Sequence, residues 1–411
     1  MHKPTPRTDI QPVILGGDMA SYPMAREFFE AYGVRSICVV PEPIKIIEKS
    51  RLIDVHTVPD MSAESLQRAL STIATEHASQ TVVLIANSDP VVERLDSIMG
   101  SLPANVRCAL ARHDLIERVS DKIEFARLCE QYGLDAPNSE VVNVGAEGPI
   151  APSKLPFPLI AKPAVSSAEY FLLYAKGFKK VYFIQSQEEL DELWAALRAE
   201  HFSGDFLVQE LIGGDDTYVD MITCYVNQQG KTTLFVSSQV LLEDHNPALY
   251  GNPVAMITRP MPELWEKVAA MLADLGWRGF ANFDMKRDPK TGRVIFMDFN
   301  PRLGANSYYA CVGGVNPMVA LVSDLVDGTD DVLRISQKGL YSRARPGLVR
   351  RYITDSALRA EFDAIVKSGA VRDPMRCRAD GLVARAIGLV MELNYDRKFA
   401  RFYPKPTDTS F

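Results

Sequence analysis

The sequence predicts a chain of the α/β and α+β classes, with a parallel sheet first and antiparallel sheets after it. Over residues 10–115, short apolar runs alternate with helical patterns, which is typical of a doubly wound parallel sheet. From about residue 217 the apolar runs lengthen, and a turn-rich segment joins two of them, which is typical of antiparallel hairpins. The length of 411 residues predicts two to three domains.

The composition excludes several other classes of protein. A hydrophobic fraction of 47% excludes disorder as the main state, and 25 glycines, 26 prolines and 6 cysteines exclude collagen-like and disulfide-scaffold chains. No apolar run approaches the ~20 residues of a membrane span, so we expect none, and the polar start predicts no signal peptide. Because the cysteines are scattered without a C-x-x-C pair, we expect reduced thiols and a cytoplasmic location.

The net charge of −7 argues against binding to nucleic acid. The charge is uneven, because the segment from Arg343 onward carries six more basic than acidic residues. Its arginines face either an anionic partner or ordinary surface carboxylates, and the sequence leaves both interpretations open. The arginines considered are Arg343, Arg345, Arg350, Arg351, Arg376, Arg378 and Arg385.

The N-terminal domain, 1–116, begins with a strand at 13–15, the turn Gly16-Gly17-Asp18 and a helix that ends at Gly33. A strand at 36–40, a helix at 63–77 and a strand at 81–86 continue the α/β alternation. The glycines do not match G-x-G-x-x-G, so a dinucleotide fingerprint is absent. We favour a tight turn over direct ligand contact, and Asp18 is a candidate partner for a substrate ammonium.

Three further segments follow. Residues 117–213 predict a small α+β unit, with a helix from 120 to 132, a strand ending at Pro163, strands at 179–184 and 206–212, and a helix at 187–197. Residues 214–342 predict strands at 218–226, 233–239, 279–287 and 293–300 and a helix at 262–275. Residues 343–411 predict a basic extension of mixed helix and strand, packed on the preceding domain.

The most informative stretch is the hairpin formed by strands 279–287 and 293–300. Alternation predicts that Asn282, Asp284 and Lys286 share one face of the first strand, and that Phe296, Asp298 and Asn300 share one face of the second. Asp284 and Asp298 then lie ~5–8 Å apart, where like charges destabilise the sheet unless a cation joins them. Two carboxylates and an amide oxygen suit Mg²⁺, which also takes phosphate oxygens. Arg302, just beyond, is a candidate ligand for phosphoryl or carboxylate oxygens.

This stretch, with D-x-N-P-R ending the second strand, resembles the metal-binding signature of the ATP-grasp superfamily. Other marks of that superfamily stand in the right order. The resemblance implies that Lys122 and Lys162 contact nucleotide phosphates, that the hinge Gln209-Glu210-Leu211 holds adenine, and that Asp216 lies near the ribose or substrate. It also implies a pre-ATP-grasp domain, a lid (117–213) and a main domain with the Mg-ATP site (214–342). The implied metal ligands are Asp284, Asp298 and Asn300.

Two features narrow the resemblance to the D-aspartate ligase branch. One is the opening pattern from Ile14 to Gly33, and the other is Lys-Pro…Glu-Tyr-Phe…Gly-Phe-Lys-Lys-Val-Tyr between 162 and 182. The loop within 164–177 contains a single glycine instead of the usual glycine-rich phosphate loop. Backbone N–H groups and serine hydroxyls there are expected to cradle phosphate.

The implied reaction is an ADP-forming ligation. ATP phosphorylates an amino-acid carboxylate, D-aspartate in the favoured version, and an amine displaces the phosphate to form an amide. Arg302 and Lys162 are the expected catalytic residues, with ATP and Mg²⁺, or alternatively Mn²⁺, as cofactors. The expected acceptor is an anionic, amine-bearing molecule such as a peptidoglycan precursor, and a homodimer is one option for the assembly.

Three other functions stay open at this point. One is a carboxylate–amine ligase for another amino acid or small-metabolite pair. Another is a non-catalytic nucleotide-binding module, which the intact metal ligands disfavour. The third is a component of a biotin-dependent carboxylase, which the loop at 164–177 disfavours. The sequence does not identify the base that deprotonates the amine.

Overall fold

The computed structural model describes residues 6–164, 170, 172–173, 176–179, 181–247 and 249–409. Three sheets organise these residues, and we call them the N-terminal, lid and main sheets. The N-terminal sheet has five strands, all parallel, in the order β3-β2-β1-β4-β5. This confirms the predicted doubly wound sheet. Its strands are β1 Ile10–Leu15, β2 Ser36–Val40, β3 Ile53–Thr57, β4 Thr81–Ala86 and β5 Val106–Cys108.

Helices cover this sheet and lead out of it. The helix α1 ends at Gly33, which takes a left-handed conformation with φ of 63° and donates to Phe29 O. Ser62 caps α3 by accepting from Ser65 N, which explains where that helix begins. The helices are α1 Ser21–Tyr32, α2 Lys45–Lys49, α3 Ala63–Glu76, α4 Asp89–Ile98, α5 His113–Ser120 and α6 Lys122–Gln131.

The lid sheet is antiparallel, in the order β6-β9-β7-β8, and its strands are β6 Ser139–Asn143, β7 Leu159–Pro163, β8 Tyr182–Ile184 and β9 Asp205–Glu210. The helix α7, Gln187–Ala199, packs on it through Trp194, whose ring lies 5.4 Å from that of Phe206. The strand β9 ends at Glu210 and not at residue 212. The positions opposite Leu211 are Pro137 and Pro158, and proline has no N–H to continue either ladder.

The main sheet has eight strands in the order β14-β13-β10-β11-β12-β16-β17, with β15 paired to β11. Its central pairs, from β14 to β12, are antiparallel, as predicted. Its strands are β10 Val219–Val226, β11 Thr232–Glu243, β12 Pro253–Thr258, β13 Gly279–Arg287, β14 Val294–Asn300, β15 Leu333–Arg334, β16 Leu340–Ser342 and β17 Val371–Arg372. The helices of this region are α8 Pro262–Asp274, α9 Tyr309–Val312 and α10 Pro317–Val322.

Several parts of the main sheet were not predicted, among them the short strands β15 and β16. The strand β11 runs four residues past Gln239, because its ladder with β12 continues through register shifts around Leu242. The strand β12 was missed altogether. It begins at Pro253, and a proline tolerated at the first position of a strand gives no strand signal.

The C-terminal segment contributes to the main sheet as well as packing on it. β17 pairs with β16, while α11 Pro346–Tyr352, α12 Ser356–Ser368 and α13 Leu382–Phe402 lie beyond. A second hydrophobic cluster joins these helices to β11, β12 and β16. None of the described helices combines the length and the hydropathy that a bilayer-spanning segment requires. All six cysteines carry free thiols.

Candidate active site

The β13–β14 hairpin forms as predicted, and its register places Asp284 directly opposite Asp298 and Asn282 opposite Asn300. Asn300 Nδ2 donates to Asp284 Oδ2 at 3.0 Å. The Asp298 side chain is 42% exposed. The two carboxylates and the amide therefore meet on one face of the main sheet, near its edge strand.

One detail of the predicted hairpin is wrong. A register shift follows Asp284, so that Phe296 opposes Met285 and does not share the face of Asp298. The Phe296 ring packs instead in the hydrophobic core, 5.9 Å from the ring of Phe283. The bulge at Met297 reverses the alternation locally, which a strict two-residue period does not anticipate.

Lys122 reaches this hairpin from the first turn of α6. Asp121 caps that helix by accepting from Ile123 N at 2.8 Å and Glu124 N at 3.1 Å. The ring of Phe125 packs 5.9 Å from that of Phe299 on β14, which fixes the helix against the hairpin. As a result, Lys122 Nζ lies 3.8 Å from Asp298 Oδ1.

Arg302 lies two residues beyond β14 and is held by a carboxylate that the sequence reasoning missed. Its Nε and Nη2 donate to the two carboxylate oxygens of Asp89 at 2.7 and 3.0 Å. Nη2 also lies 3.4 Å from Asn300 Oδ1. Asp89 begins α4 at the carboxyl end of β4, so this bidentate pair joins the hairpin to the N-terminal sheet.

Lys162, Gln209 and Glu210 lie on the lid sheet, apart from the hairpin residues. Lys162 opposes Leu207 and Gln209 opposes Ile160, so the Lys162 and Gln209 side chains share the face turned away from the lid core. Both are buried. Gln209 Nε2 donates to Ser139 Oγ at 2.9 Å, while its Oε1 is buried without a partner among the described residues.

Glu210 and Leu211, the other two residues of the predicted hinge, do not share the surroundings of Gln209. The Glu210 carboxylate accepts from Asn138 N at 2.9 Å and from Asn138 Nδ2 at 3.0 Å. Leu211 follows directly after β9 and is half-buried. Gly213, two residues on, passes the hairpin loop, because a Cβ built there would lie 3.6 Å from Pro289 Cγ. The hinge therefore runs beside the β13–β14 loop.

Asp216 lies in a buried cluster where β11 ends. Its Oδ2 accepts from Glu243 N at 2.9 Å and lies 3.0 Å from His245 Nε2. Its Oδ1 is buried without a hydrogen-bond partner in the described part of the chain. The His245 ring stacks on Tyr403 with centroids 3.5 Å apart, so the C-terminal segment closes this side of the cluster.

Glu243 and Lys286 connect Asp216 to the hairpin, and the sequence reasoning assigned neither a role. Burial, then the charge of Asp216, raises the pKa of Glu243 well above its usual range, and Asp284 adds to this shift. Burial lowers the pKa of Lys286, while Glu243 and Asp216 act against that effect. The sequence signal for this buried cluster was the pair of Glu243 and His245 at the end of an apolar strand.

The donor set fits a hard divalent cation. Among the described residues, no group of three His, Cys, Asp or Glu side chains is placed to hold a metal, so the third protein ligand would be the amide oxygen of Asn300. Two opposed carboxylates with an amide oxygen leave positions for water and phosphate oxygens, which is the coordination that Mg²⁺ favours. The orphaned Gln209 Oε1 is a suitable acceptor for an amino group such as that of adenine.

The turn at Gly16 and Gly17 needs its glycines for packing. Gly16 has φ of 133°, and a Cβ there would lie 2.3 Å from the Asn87 side chain, while a Cβ on Gly17 would lie 2.4 Å from Val40. Asp18 accepts from Asn87 Nδ2 at 2.7 Å. These contacts support the tight-turn interpretation, and binding of an ammonium by Asp18 stays a prediction.

Four of the seven candidate C-terminal arginines form salt bridges within the chain, as one of the two open interpretations expects. Arg345 and Arg351 pair with Asp396, Arg350 with Asp363 and Arg376 with Glu392. The expected phosphate loop falls largely on 165–169, 171 and 174–175, and Lys180 belongs to the same motif. These positions lie outside the described residues.

The curated relatives that share sequence with the chain include a ligase and a synthase subunit. The chain is 29% identical over 313 residues to the D-aspartate ligase of Enterococcus faecium, covering 74% of this chain and 74% of that protein. It is 22% identical over 343 residues to the N-terminal section of the carbamoyl phosphate synthase large chain of Aquifex aeolicus, covering 78% of this chain and 58% of that protein. No protein-family model matches the chain.

Solved structures decide the fold. N5-carboxyaminoimidazole synthetase from Staphylococcus aureus, complexed with ADP, aligns with a TM-score of 0.57 at 12% identity, over 83% of each chain. The chain has the ATP-grasp fold. L-amino acid ligase from Bacillus licheniformis aligns at 0.51 and 15% identity, over 78% of this chain and 75% of that one. The biotin carboxylase domain of the Hydrogenobacter thermophilus 2-oxoglutarate carboxylase, a dimer with MgADP, aligns with a TM-score of 0.56 at 12% identity. The alignment covers 80% of this chain and 73% of that one.

The ATP-grasp assignment confirms the predicted fold class. The sequence similarity to D-aspartate ligase confirms the predicted resemblance to that branch of the carboxylate–amine ligases. Two of these solved structures contain ADP or MgADP.

Proposed function

We propose that this ATP-grasp chain is an ADP-forming carbon–nitrogen ligase, which activates an amino-acid carboxylate as an acyl phosphate and transfers the acyl group to an amine. The observation that supports it most is the hairpin group, in which Asp284 and Asp298 are opposed within reach of Asn300, Lys122 and Arg302. Such a group concentrates charge where a phosphoryl group can be held and transferred.

Each residue has a proposed role. Asp284, Asp298 and Asn300 would hold Mg²⁺, which supplies positive charge to the phosphate oxygens when it is bound. Lys122, 3.8 Å from Asp298, would neutralise phosphate charge beside the metal ligands. Arg302 would stabilise the transferring phosphoryl group after exchanging its pair with Asp89 for substrate.

The lid residues take the remaining proposed roles. Lys162, buried on the same face as Gln209, would contact phosphates, while Gln209 Oε1 and the hinge backbone at Glu210 and Leu211 would hold adenine. Asp216 would accept a hydrogen bond from a ribose hydroxyl through Oδ1, which has no hydrogen-bond partner among the described residues. Since nucleotide and carboxylate would be fixed by rigid strands, positioning and electrostatics would supply most of the rate.

We propose D-aspartate as the carboxylate substrate, because the E. faecium relative with 29% identity is a D-aspartate ligase. The proposed acceptor is the side-chain amine of lysine or ornithine in a peptidoglycan-precursor stem peptide. The cytoplasmic location, use of Mn²⁺ in place of Mg²⁺ and a homodimer remain predictions.

The test is an assay of ADP and hydroxamate with Mg-ATP, hydroxylamine and single D- or L-amino acids. Signal with D-aspartate supports the acyl-phosphate chemistry and the proposed carboxylate substrate. Signal with another carboxylate keeps the ligase and replaces the substrate. Absence of both ADP release and nucleotide binding would contradict the nucleotide site itself.

A further inference from the structure

Arg343 is a half-buried arginine whose guanidinium contacts the thioether of Met19 and the side chain of Tyr395 and forms no salt bridge with the described residues. The residue follows β16, and its backbone N–H donates to Val254 O at 2.9 Å, which fixes its position. Its Nη2 lies 3.1 Å from the thioether sulfur of Met19. Its Nε is sealed from solvent and has no hydrogen-bond partner among the described residues. A guanidinium presents five donors in a planar fork that matches a carboxylate, and a thioether is a poor substitute.

Two carboxylates influence Arg343 electrostatically without forming a salt bridge to it, those of Asp244 and Asp373. Asp244 Oδ2 lies 3.2 Å from Lys398 Nζ. Asp373 Oδ1 accepts from Met375 N at 2.8 Å, while its Oδ2 is buried without a hydrogen-bond partner among the described residues. Arg343 forms no salt bridge with the described residues, in contrast to the neighbouring Arg345 and its pair with Asp396.

Tyr341 adds a second donor on the same side of the strand. It lies two positions before Arg343, so the two side chains extend to the same face. Its side chain is fully buried, yet its hydroxyl has no hydrogen-bond partner in the described part of the chain. The Arg343 guanidinium also lies over the Tyr395 ring, 6.0 Å from its centroid. A buried hydroxyl without a partner costs free energy unless a ligand satisfies it.

The position of Arg343 relates it to the hairpin. Met19 belongs to the loop that follows β1, and Asp89, the partner of Arg302, follows β4. Because β1 and β4 are neighbouring parallel strands, both arginines reach the carboxyl edge of the N-terminal sheet. That edge is where open α/β sheets bind ligands. Arg302 contacts the proposed metal ligand Asn300, and Arg343 contacts the loop that follows β1.

We propose that Arg343 and Tyr341 bind the carboxylate of the amino-acid substrate that is not activated, and thereby select dicarboxylic amino acids. The activated carboxylate lies at Arg302 and the hairpin, where its oxygen attacks the γ-phosphorus and ADP leaves. This inference rests on the proposed function, because it assigns the second carboxylate of that same substrate. It predicts the substrate class from the site and does not depend on chirality.

The test compares steady-state hydroxamate formation in four proteins, using aspartate and its two analogues that lack one carboxylate, alanine and β-alanine. Arg343→Met should raise the KM for aspartate ~30-fold and leave kcat within about threefold of wild type. The lost charge-assisted contact is made equally in the ground state and in the transition state, so its loss weakens binding without slowing the bound reaction. Tyr341→Phe should raise that KM about fivefold without lowering the free energy of unfolding, since its hydroxyl has no hydrogen-bond partner among the described residues. Arg397→Met, an exposed arginine of α13, is the matched control and should leave both constants unchanged.

Further readouts separate this inference from the function on which it rests. Arg343→Met should keep the wild-type thermal shift with Mg-ADP. Arg343→Lys should have a KM for aspartate between those of wild type and Arg343→Met. Wild-type KM for aspartate in both Arg343→Met and Tyr341→Phe would overturn the inference while leaving the ligase intact. So would an equal loss with aspartate and with the monocarboxylic analogues. Wild-type protein that releases no ADP with any amino acid would overturn the proposed function, and this inference with it.

Discussion

Replacing Asp298 by Asn should lower kcat roughly 100- to 1,000-fold while leaving the fold as stable as before. In the structure this carboxylate opposes Asp284 across the strand pair and lies 3.8 Å from Lys122 Nζ. Removing its charge relieves one cross-strand repulsion, about 0.2–1 kcal/mol, and forfeits one partly exposed ion pair of about 0–1 kcal/mol. The two effects offset each other, so the free energy of unfolding should change by no more than about 1 kcal/mol.

The activity should respond very differently. Loss of one preorganised charge contact at a transferring group typically costs roughly 100- to 1,000-fold in kcat. A coupled ADP assay over a Mg²⁺ titration, together with urea unfolding, measures both quantities in one preparation. Asp331→Asn makes the same chemical change at an exposed position and should behave as wild type. Normal turnover with a normal Mg²⁺ titration in Asp298→Asn would refute the metal assignment, and a stability loss above about 2 kcal/mol would indicate a structural role.

Two further predictions concern stability. Gly16→Ala should destabilise the fold by about 1–3 kcal/mol in urea, because the new Cβ meets Asn87 at 2.3 Å in a backbone with φ of 133°, whereas Gly100→Ala, with open space around it, should not. Burial raises the pKa of Glu27 to about 8 from its usual 4.5, so wild-type stability should fall as the pH rises between those values. Glu27→Gln, which keeps the acceptor for Ser307 Oγ, should therefore gain stability relative to wild type over that window, and a pH-independent difference would contradict this.

The parts of the fold that could be predicted are those fixed by local chemistry. Gly33 ends α1 because it adopts a left-handed conformation, and the turn-rich segment after Arg287 closes a hairpin whose register brings Asp284 and Asp298 together. Helix and strand periods identified these elements because each has one buried face.

The parts that could not be predicted depend on partners distant in sequence. The bulge at Met297 moved Phe296 into the core, and no local period signals an extra residue in a strand. Asp89 contributes to the site through its hydrogen bond with Arg302, which lies more than 200 residues away in the sequence. Arg343 differs from its salt-bridged neighbours only in the surroundings that the fold gives it.

The central claim is that this chain transfers the γ-phosphoryl group of ATP to a carboxylate. The most direct measurement follows oxygen-18 from carboxyl-labelled D-aspartate into inorganic phosphate by phosphorus-31 NMR, during turnover with Mg-ATP and hydroxylamine. We expect one labelled oxygen in each phosphate released, because the bridging oxygen of the acyl phosphate comes from the substrate. Release of ADP and hydroxamate with unlabelled phosphate would contradict it.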